Sequence, residues 1–217
     1  MPLQEIQHTP QQATIGIWHI TETLETLRQQ LAPVYRLDQI TSHRKRQKEW
    51  VAIRLLLQIL LPENRAKITY DQFGKPMLSD NSYQISISHS ATHATLILHP
   101  TTDVGIDIEV IRPKIERLQY KFLGQRELQD LVNVHPENRH ERLTILWTAK
   151  ESLYKLYGKK RLRFIEHLPI HQDQPNESTP LQGTLQASIC LPNDEKHYTL
   201  HYQEVDKQIL TYVIGND

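Results

Sequence analysis

The stretch Val104-Gly105-Ile106-Asp107-Ile108-Glu109-Val110 changes character at every step. Val104, Ile106, Ile108 and Val110 share one face of the strand that this alternation predicts. Gly105, Asp107 and Glu109 share the other. A second stretch, Trp147-Thr148-Ala149-Lys150-Glu151-Ser152-Leu153-Tyr154-Lys155, lies inside a segment from Glu141 to Tyr157 that reads as one strong helix, with Gly158 placed as its C-terminal cap.

Outward from these, Lys114 to Val132 reads as largely helical, with Phe122, Leu123, Leu128 and Leu131 inward. Asn133 to Arg139 reads as a loop, Phe164 to Ile170 as a strand and His171 to Gln182 as a polar loop. Thr184 to Leu191, His197 to Glu204 and Gln208 to Ile214 read as three further strands. Toward the N-terminus, Thr14 to Ile20 reads as a strand, and Thr21 or Thr23 would cap a short helix to Leu31, broken at Pro33. A longer helix is expected from about Thr41 to Leu61, stopped by Pro62. Trp50, Val51, Ile53, Leu57, Leu60 and Leu61 recur there at helical spacing. Phe73-Gly74-Lys75-Pro76 signals a turn, and Gln84 to His89 and Ala94 to Leu98 are strands. The order strand, helices, strands thus occurs twice, on either side of about residue 103. The expected plan is α+β, in two halves, 1–103 and 104–217, each a small sheet packed on a long helix. The cleft between two such halves is a usual place for a ligand.

Composition narrows the function classes. Lys plus Arg and Asp plus Glu number 25 each, so the 217-residue chain is neutral. That argues against a nucleic-acid or membrane-surface binder, which needs a positive excess. The single cysteine, Cys190, allows no intramolecular disulfide and no cysteine-based zinc finger, and fits a reducing compartment. No signal peptide is evident, and no apolar run is long enough to span a bilayer, so a cytoplasmic protein is expected.

Asp107 and Glu109 would project side by side from their strand, with Cα atoms roughly 6.5–7 Å apart. Two aligned carboxylates repel unless a cation sits between them or water screens them. Glu151 and Lys155 are an i,i+4 pair, which is usually mere surface stabilisation. Trp147, one turn earlier on the same face, instead suggests a partly buried face, where an unpaired carboxylate is costly. Three acids with nearby lysines suit Mg²⁺-dependent phosphate transfer. Arg54 interrupts the apolar run Val51 to Leu57 and calls for an anionic partner. Ser88-His89-Ser90 ends a strand with groups able to bind phosphate, or is an ordinary polar strand end. His89 and His93 have the spacing of a helical zinc pair, but the segment reads as strand and turn. Gly74-Lys75-Pro76 is a plain turn or brings backbone and a lysine close to a ligand. Arg44 to Lys48 is a basic helix face. No glycine-rich phosphate loop, nucleophile elbow or zinc-protease motif is present.

Gly-Ile-Asp-Ile-Glu at 105–109 followed by Trp-x-x-Lys-Glu-x-x-x-Lys at 147–155 resembles the 4′-phosphopantetheinyl transferases of the Sfp type. Arg54-Leu55-Leu56, Phe73-Gly74-Lys75-Pro76, Ile87-Ser88-His89-Ser90 and Phe122-Leu123 with Glu127 fall in the order that resemblance expects. The resemblance implies two similar α/β subdomains related by a pseudo-twofold axis, each a small antiparallel sheet on a long helix, meeting at a cleft that takes coenzyme A. It implies transfer of phosphopantetheine to a serine of an apo acyl or peptidyl carrier protein, with release of 3′,5′-ADP. Asp107, Glu109 and Glu151 would hold Mg²⁺. Glu151, or a water held by the ion, would help deprotonate the serine. Lys155 would neutralise charge on the leaving phosphate and Lys150 would assist the phosphates. Arg54 and His89 would bind the 3′-phosphate, Gly74, Lys75 and Pro76 would lie against the nucleotide, Ser88 would contact the ligand, and Arg44 would sit near the phosphates. A monomer is expected, because two halves in one chain complete the site. A non-catalytic coenzyme A or carrier-protein binding module, or a Mg²⁺-dependent phosphodiesterase of another kind, are the alternatives. One difference stands out: Gly158 is followed by Lys159, Lys160 and Arg161, where the family commonly has Gly-x-Gly.

Overall fold

The computed structural model describes residues 3–33, 35, 43–63, 66–171 and 181–216. The chain divides into two compact units, Met1–Asp103 and Val104–Asp217. Helix and antiparallel sheet together make it an α+β protein.

In the first unit the strands are β1 (Leu3–His8), β2 (Thr14–His19), β3 (Ile68–Tyr70), β4 (Pro76–Leu78), β5 (Gln84–His89) and β6 (His93–His99). Four form one antiparallel sheet in the order β1-β2-β6-β5, and β3 and β4 form a separate hairpin. The helices are α1 (Leu24–Gln30) and α2 (Arg44–Leu60). Thr23 caps α1, its hydroxyl accepting from the Thr26 amide at 3.2 Å. Helix α2 lies on β2 and β6 and buries Val51, Ala52, Ile53, Leu55, Leu56 and Leu57 against Trp18 and Leu96. Its expected start at Thr41 falls outside the described residues. β1 has no counterpart in the sequence reading. It is an edge strand with mostly exposed side chains, so it lacks the apolar run that would mark it. Gly74 carries the β3–β4 turn with φ 91, a left-handed conformation that residues with a Cβ avoid.

In the second unit the strands are β7 (Val104–Val110), β8 (Ile170–His171), β9 (Gln182–Leu191), β10 (Asp194–Val205) and β11 (Gln208–Ile214). They form one antiparallel sheet in the order β7-β11-β10-β9-β8. The helices are α3 (Gln119–Phe122), α4 (Gln125–Asp130), α5 (Arg139–Tyr157) and α6 (Phe164–His167). Helix α5 packs across β7 and β11 and ends at Gly158 with φ 68.

One expectation here is refined and one corrected. Lys114 to Val132 is largely helical, as expected, but in pieces: a 3₁₀ segment (Pro113–Leu118) leads into α3, and the chain breaks at Leu123-Gly124 before α4. The break arises because the Gly124 amide donates to the Glu127 carboxylate at 2.6 Å, starting a new helix. Phe164 to Ile170 is not a strand. Its first four residues form α6, where Phe164 packs on Trp147 and Tyr154, and only Ile170 and His171 are extended. Most of the expected polar loop from His171 to Gln182 lies outside the described residues.

Candidate active site

The site grows from a close approach of helix to strand. A Cβ on Gly105 would run into the backbone oxygen of Ser152 and stand 2.9 Å from the Leu156 nitrogen. Only glycine lets α5 lie so near β7. Small polar residues of α5 then fasten it to β11. Ser152 Oγ donates to the Thr211 carbonyl at 2.9 Å, and the Thr148 and Thr211 hydroxyls are 2.7 Å apart. All three residues are wholly buried. This brings Lys155 Nζ to 2.9 Å from the Ile106 carbonyl and 2.7 Å from Asp107 Oδ1.

Between Arg142 and Leu156 nearly every side chain of α5 is buried. The exceptions are Trp147, Glu151, Tyr154 and Lys155, which are half-buried. At i, i+4, i+7 and i+8 they form one stripe. Trp147 anchors the stripe, its ring edge-on to Phe122 at 5.2 Å and tilted against Phe164 at 5.7 Å. Glu151 and Lys155 therefore occupy the strip of this helix that small molecules can reach. Lys155 pairs with Asp107 rather than with its helical neighbour Glu151.

The electrostatics of this cluster are unbalanced. The Glu151 carboxyl is pushed up to about 7, first by burial, then by the charge of Asp107, and further by Glu109; Lys155 opposes the rise. Glu109 Oε1 accepts from the Val110 amide at 2.9 Å. If all three acids ionise, Lys155 cancels one charge and two negative charges remain. Such a cluster either protonates or takes up a cation. The donors are hard oxygens, which suit Mg²⁺. Asp107, Glu109 and Glu151 thus suit a divalent ion in charge and donor chemistry; among the described residues their oxygens do not all lie within 4.8 Å of one another, so binding would have to draw them together.

Lys150 departs from its expected role. Its side chain is wholly buried, with Nζ 2.8 Å from Glu127 Oε2 and 3.2 Å from the Phe164 carbonyl. Burial pulls its pKa below the ordinary value and Glu127 opposes that fall. An ammonium so enclosed holds α5 to α4 and α6 and is not presented to a phosphate. Glu127 completes the lock, its Oε1 accepting from the Ile170 amide at 3.0 Å. Sequence reasoning noticed Glu127 only as part of a motif. A lysine among Thr148, Ala149, Ser152 and Leu153 on a helix buried nearly all round was the available signal for an internal ion pair.

The remaining expected residues lie in the first unit. Arg54 is buried on α2, its guanidinium 3.9 Å above the Trp50 ring and 3.4 Å from the Trp50 carbonyl. Among the described residues no carboxylate pairs with it. His89, half exposed, lies 3.4 Å from buried Glu49, which also meets Lys45 at 3.5 Å. Both Arg54 and His89 thus bear on α2, His89 at the residue preceding Trp50. Lys75 forms an ion pair with Asp103 at 2.5 Å. Pro76 opens β4, and Ser88 is buried on β5, its carbonyl accepting from the Thr95 hydroxyl at 3.3 Å. Arg44 is exposed at the start of α2, 3.7 Å from Glu25.

Comparison with known proteins gives a consistent answer. A sequence model described as the 4′-phosphopantetheinyl transferase superfamily matches residues 103–213. The 4′-phosphopantetheinyl transferase AcpT of Escherichia coli K12 is 29% identical over 153 residues, 68% of this chain and 76% of that protein. HetI of Nostoc, of the same named activity, is 31% identical over 100 residues, 43% of this chain and 42% of its own length. Sfp of Bacillus subtilis 168 is 26% identical over 152 residues, 69% of this chain and 62% of its own length. The match to a Synechocystis relative spans half of that protein.

Proposed function

The chain belongs to the 4′-phosphopantetheinyl transferase superfamily, and we propose that it is an enzyme of the Sfp type. In this reading it moves the 4′-phosphopantetheine group of coenzyme A onto a serine of an apo acyl or peptidyl carrier protein and releases 3′,5′-ADP. The observation that carries the reading is half-buried Glu151 on α5 facing the charges of Asp107 and Glu109 on β7, with Lys155 paired to Asp107.

Asp107, Glu109 and Glu151 would hold Mg²⁺, which when bound would neutralise the pyrophosphate and polarise its oxygens. Glu151 would accept the proton of the serine hydroxyl. The serine oxygen would form a bond to the phosphorus that carries pantetheine. The bond from that phosphorus to the bridging oxygen would break, leaving its electrons on 3′,5′-ADP. Lys155, held by Ile106 and Asp107, would offset the charge on the departing phosphate. Trp147 and Gly105 would act by position, fixing α5 and so Glu151 and Lys155.

For the nucleotide we propose Arg54 and His89 at the 3′-phosphate, Gly74, Lys75 and Pro76 along the adenosine, Ser88 at the ligand and Arg44 near the phosphates. Buried Arg54, stacked on Trp50 without a carboxylate partner among the described residues, supports this. No helix among the described residues is long and apolar enough to cross a membrane. A cytoplasmic monomer is the proposed working form. The test is chromatographic: coenzyme A with Mg²⁺ should yield 3′,5′-ADP only when an apo carrier protein is added. Binding of coenzyme A without any release would indicate a non-catalytic module, and release without a carrier would indicate a phosphodiesterase.

A further inference from the structure

The outer edge of the second unit's sheet gathers a separate group of metal-ligating side chains. His171 ends β8, Ser188 and Cys190 lie on β9, and Glu195 and His197 lie on β10. The register sets Ser188 opposite His197, Cys190 opposite Glu195 and His171 opposite Gln186. In an antiparallel sheet, opposed residues and those two apart project from one face. The five side chains therefore converge. Ser188 Oγ is 2.8 Å from His171 Nε2 and 2.9 Å from His197 Nδ1. Cys190 Sγ lies 3.6 Å from Glu195 Oε1. One ligand atom each from His171, Glu195 and His197 lies within 4.8 Å of the other two. Ser188 is wholly buried beneath, His171 is half-buried, and Glu195 and His197 are exposed.

We propose that His171, Glu195 and His197 form a site for a divalent transition-metal ion, Zn²⁺ by donor chemistry, with the Cys190 thiol adjacent as a further ligand. Two imidazoles, a carboxylate and a nearby sulfur form a borderline-soft set that suits Zn²⁺ and rejects Mg²⁺. Tetrahedral bonds of 2.0–2.3 Å place ligand atoms about 3.3–3.7 Å apart. The group must therefore draw in by about 1 Å, which side-chain rotations of exposed Glu195 and His197 can supply. Buried Ser188 is placed to orient an imidazole through the hydrogen bond that metal-ligating histidines commonly make with their other nitrogen. The ion fastens β8, two residues long, across β9 to β10. That strand begins at Ile170, whose amide is held by Glu127, the partner of Lys150 on α5. Metal binding at this edge thus stabilises the segment that closes the buried ion pair. The site is chemically independent of the Asp107, Glu109 and Glu151 cluster.

The full chain, stripped with a chelator and returned to excess Mg²⁺ to occupy the carboxylate cluster, would be titrated with Zn²⁺ by calorimetry and with Co²⁺ by visible absorption. One equivalent of Zn²⁺ should bind, the melting temperature should rise, and Co²⁺ should show the intense bands of a tetrahedral site. His171→Gln and His197→Gln should each weaken Zn²⁺ binding by at least about tenfold, the loss typical even of a residue that only supports a ligand. His201→Gln, on the same strand but stacked on Tyr212, should leave binding unchanged. Should His171→Gln fail to fold by circular dichroism, exposed His197 decides alone. No saturable uptake by the folded wild type, or uptake unaltered in the folded variants, overturns the proposal.

Discussion

Glu151→Gln separates electrostatic crowding at the site from any surface role. In the metal-free protein the Glu151 carboxyl is raised to about 7 from the ordinary 4.5. Below pH 4.5 it is protonated in both folded and unfolded chains and costs nothing. Between pH 4.5 and 7 the unfolded chain releases its proton while the folded one retains it, so stability falls as pH rises. Above 7 the penalty is constant. The difference corresponds to about 3 kcal/mol at pH 8 and to under about 1 kcal/mol at pH 5. Glutamine keeps the shape and cannot ionise. Urea unfolding with a chelator present should therefore find the variant more stable than the wild type at pH 8, by up to about 3 kcal/mol, and nearly matched at pH 5. Adding Mg²⁺ at pH 8 should raise the wild type far more than the variant. A stability difference that is equal at pH 5 and pH 8 would refute the crowding of Asp107, Glu109 and Glu151. A loss of only a few tenths of a kcal/mol at both would return Glu151 to an ordinary pair with Lys155.

Gly105→Ala should destabilise by more than about 1–3 kcal/mol and lower turnover as well, because the new methyl displaces α5 at Ser152 and with it Glu151 and Lys155; thermal unfolding and initial rates check both. Lys150→Met strands the buried Glu127 carboxylate and should cost about 3–5 kcal/mol in urea unfolding, while coenzyme A affinity of the folded fraction stays unchanged. Arg54→Ala should weaken coenzyme A much more than its 3′-dephospho form, read as paired calorimetric titrations with folding checked by circular dichroism; an unchanged ratio would return Arg54 to a structural role against Trp50.

The strand at 104–110 and the helix ending at Gly158 were legible because their patterns are long and their ends chemically marked. β7 and β11 carry the expected bounds, and α5 begins two residues before the expected Glu141. The misses have two causes. β1 is an edge strand with few apolar residues, and α6 and the break at Gly124 are set by Glu127 and Lys150, which meet only after folding. Local pattern cannot register an ion pair between residues so far apart in sequence. The acids of the site were legible as residues on particular faces. That Lys155 reaches Asp107, and that Lys150 turns inward, depends on how closely Gly105 lets helix meet strand.

Transfer by the carboxylate cluster is tested most directly by the intact mass of an apo carrier protein. Incubated with coenzyme A, Mg²⁺ and this protein, the carrier should gain ~340 Da, one phosphopantetheine. Asp107→Ala and Glu109→Ala should stay folded yet leave the carrier unmodified over the same interval, because each removes a hard oxygen ligand. A carrier whose mass never changes, or one modified equally fast by both variants at limiting Mg²⁺, would rule out transfer by these carboxylates.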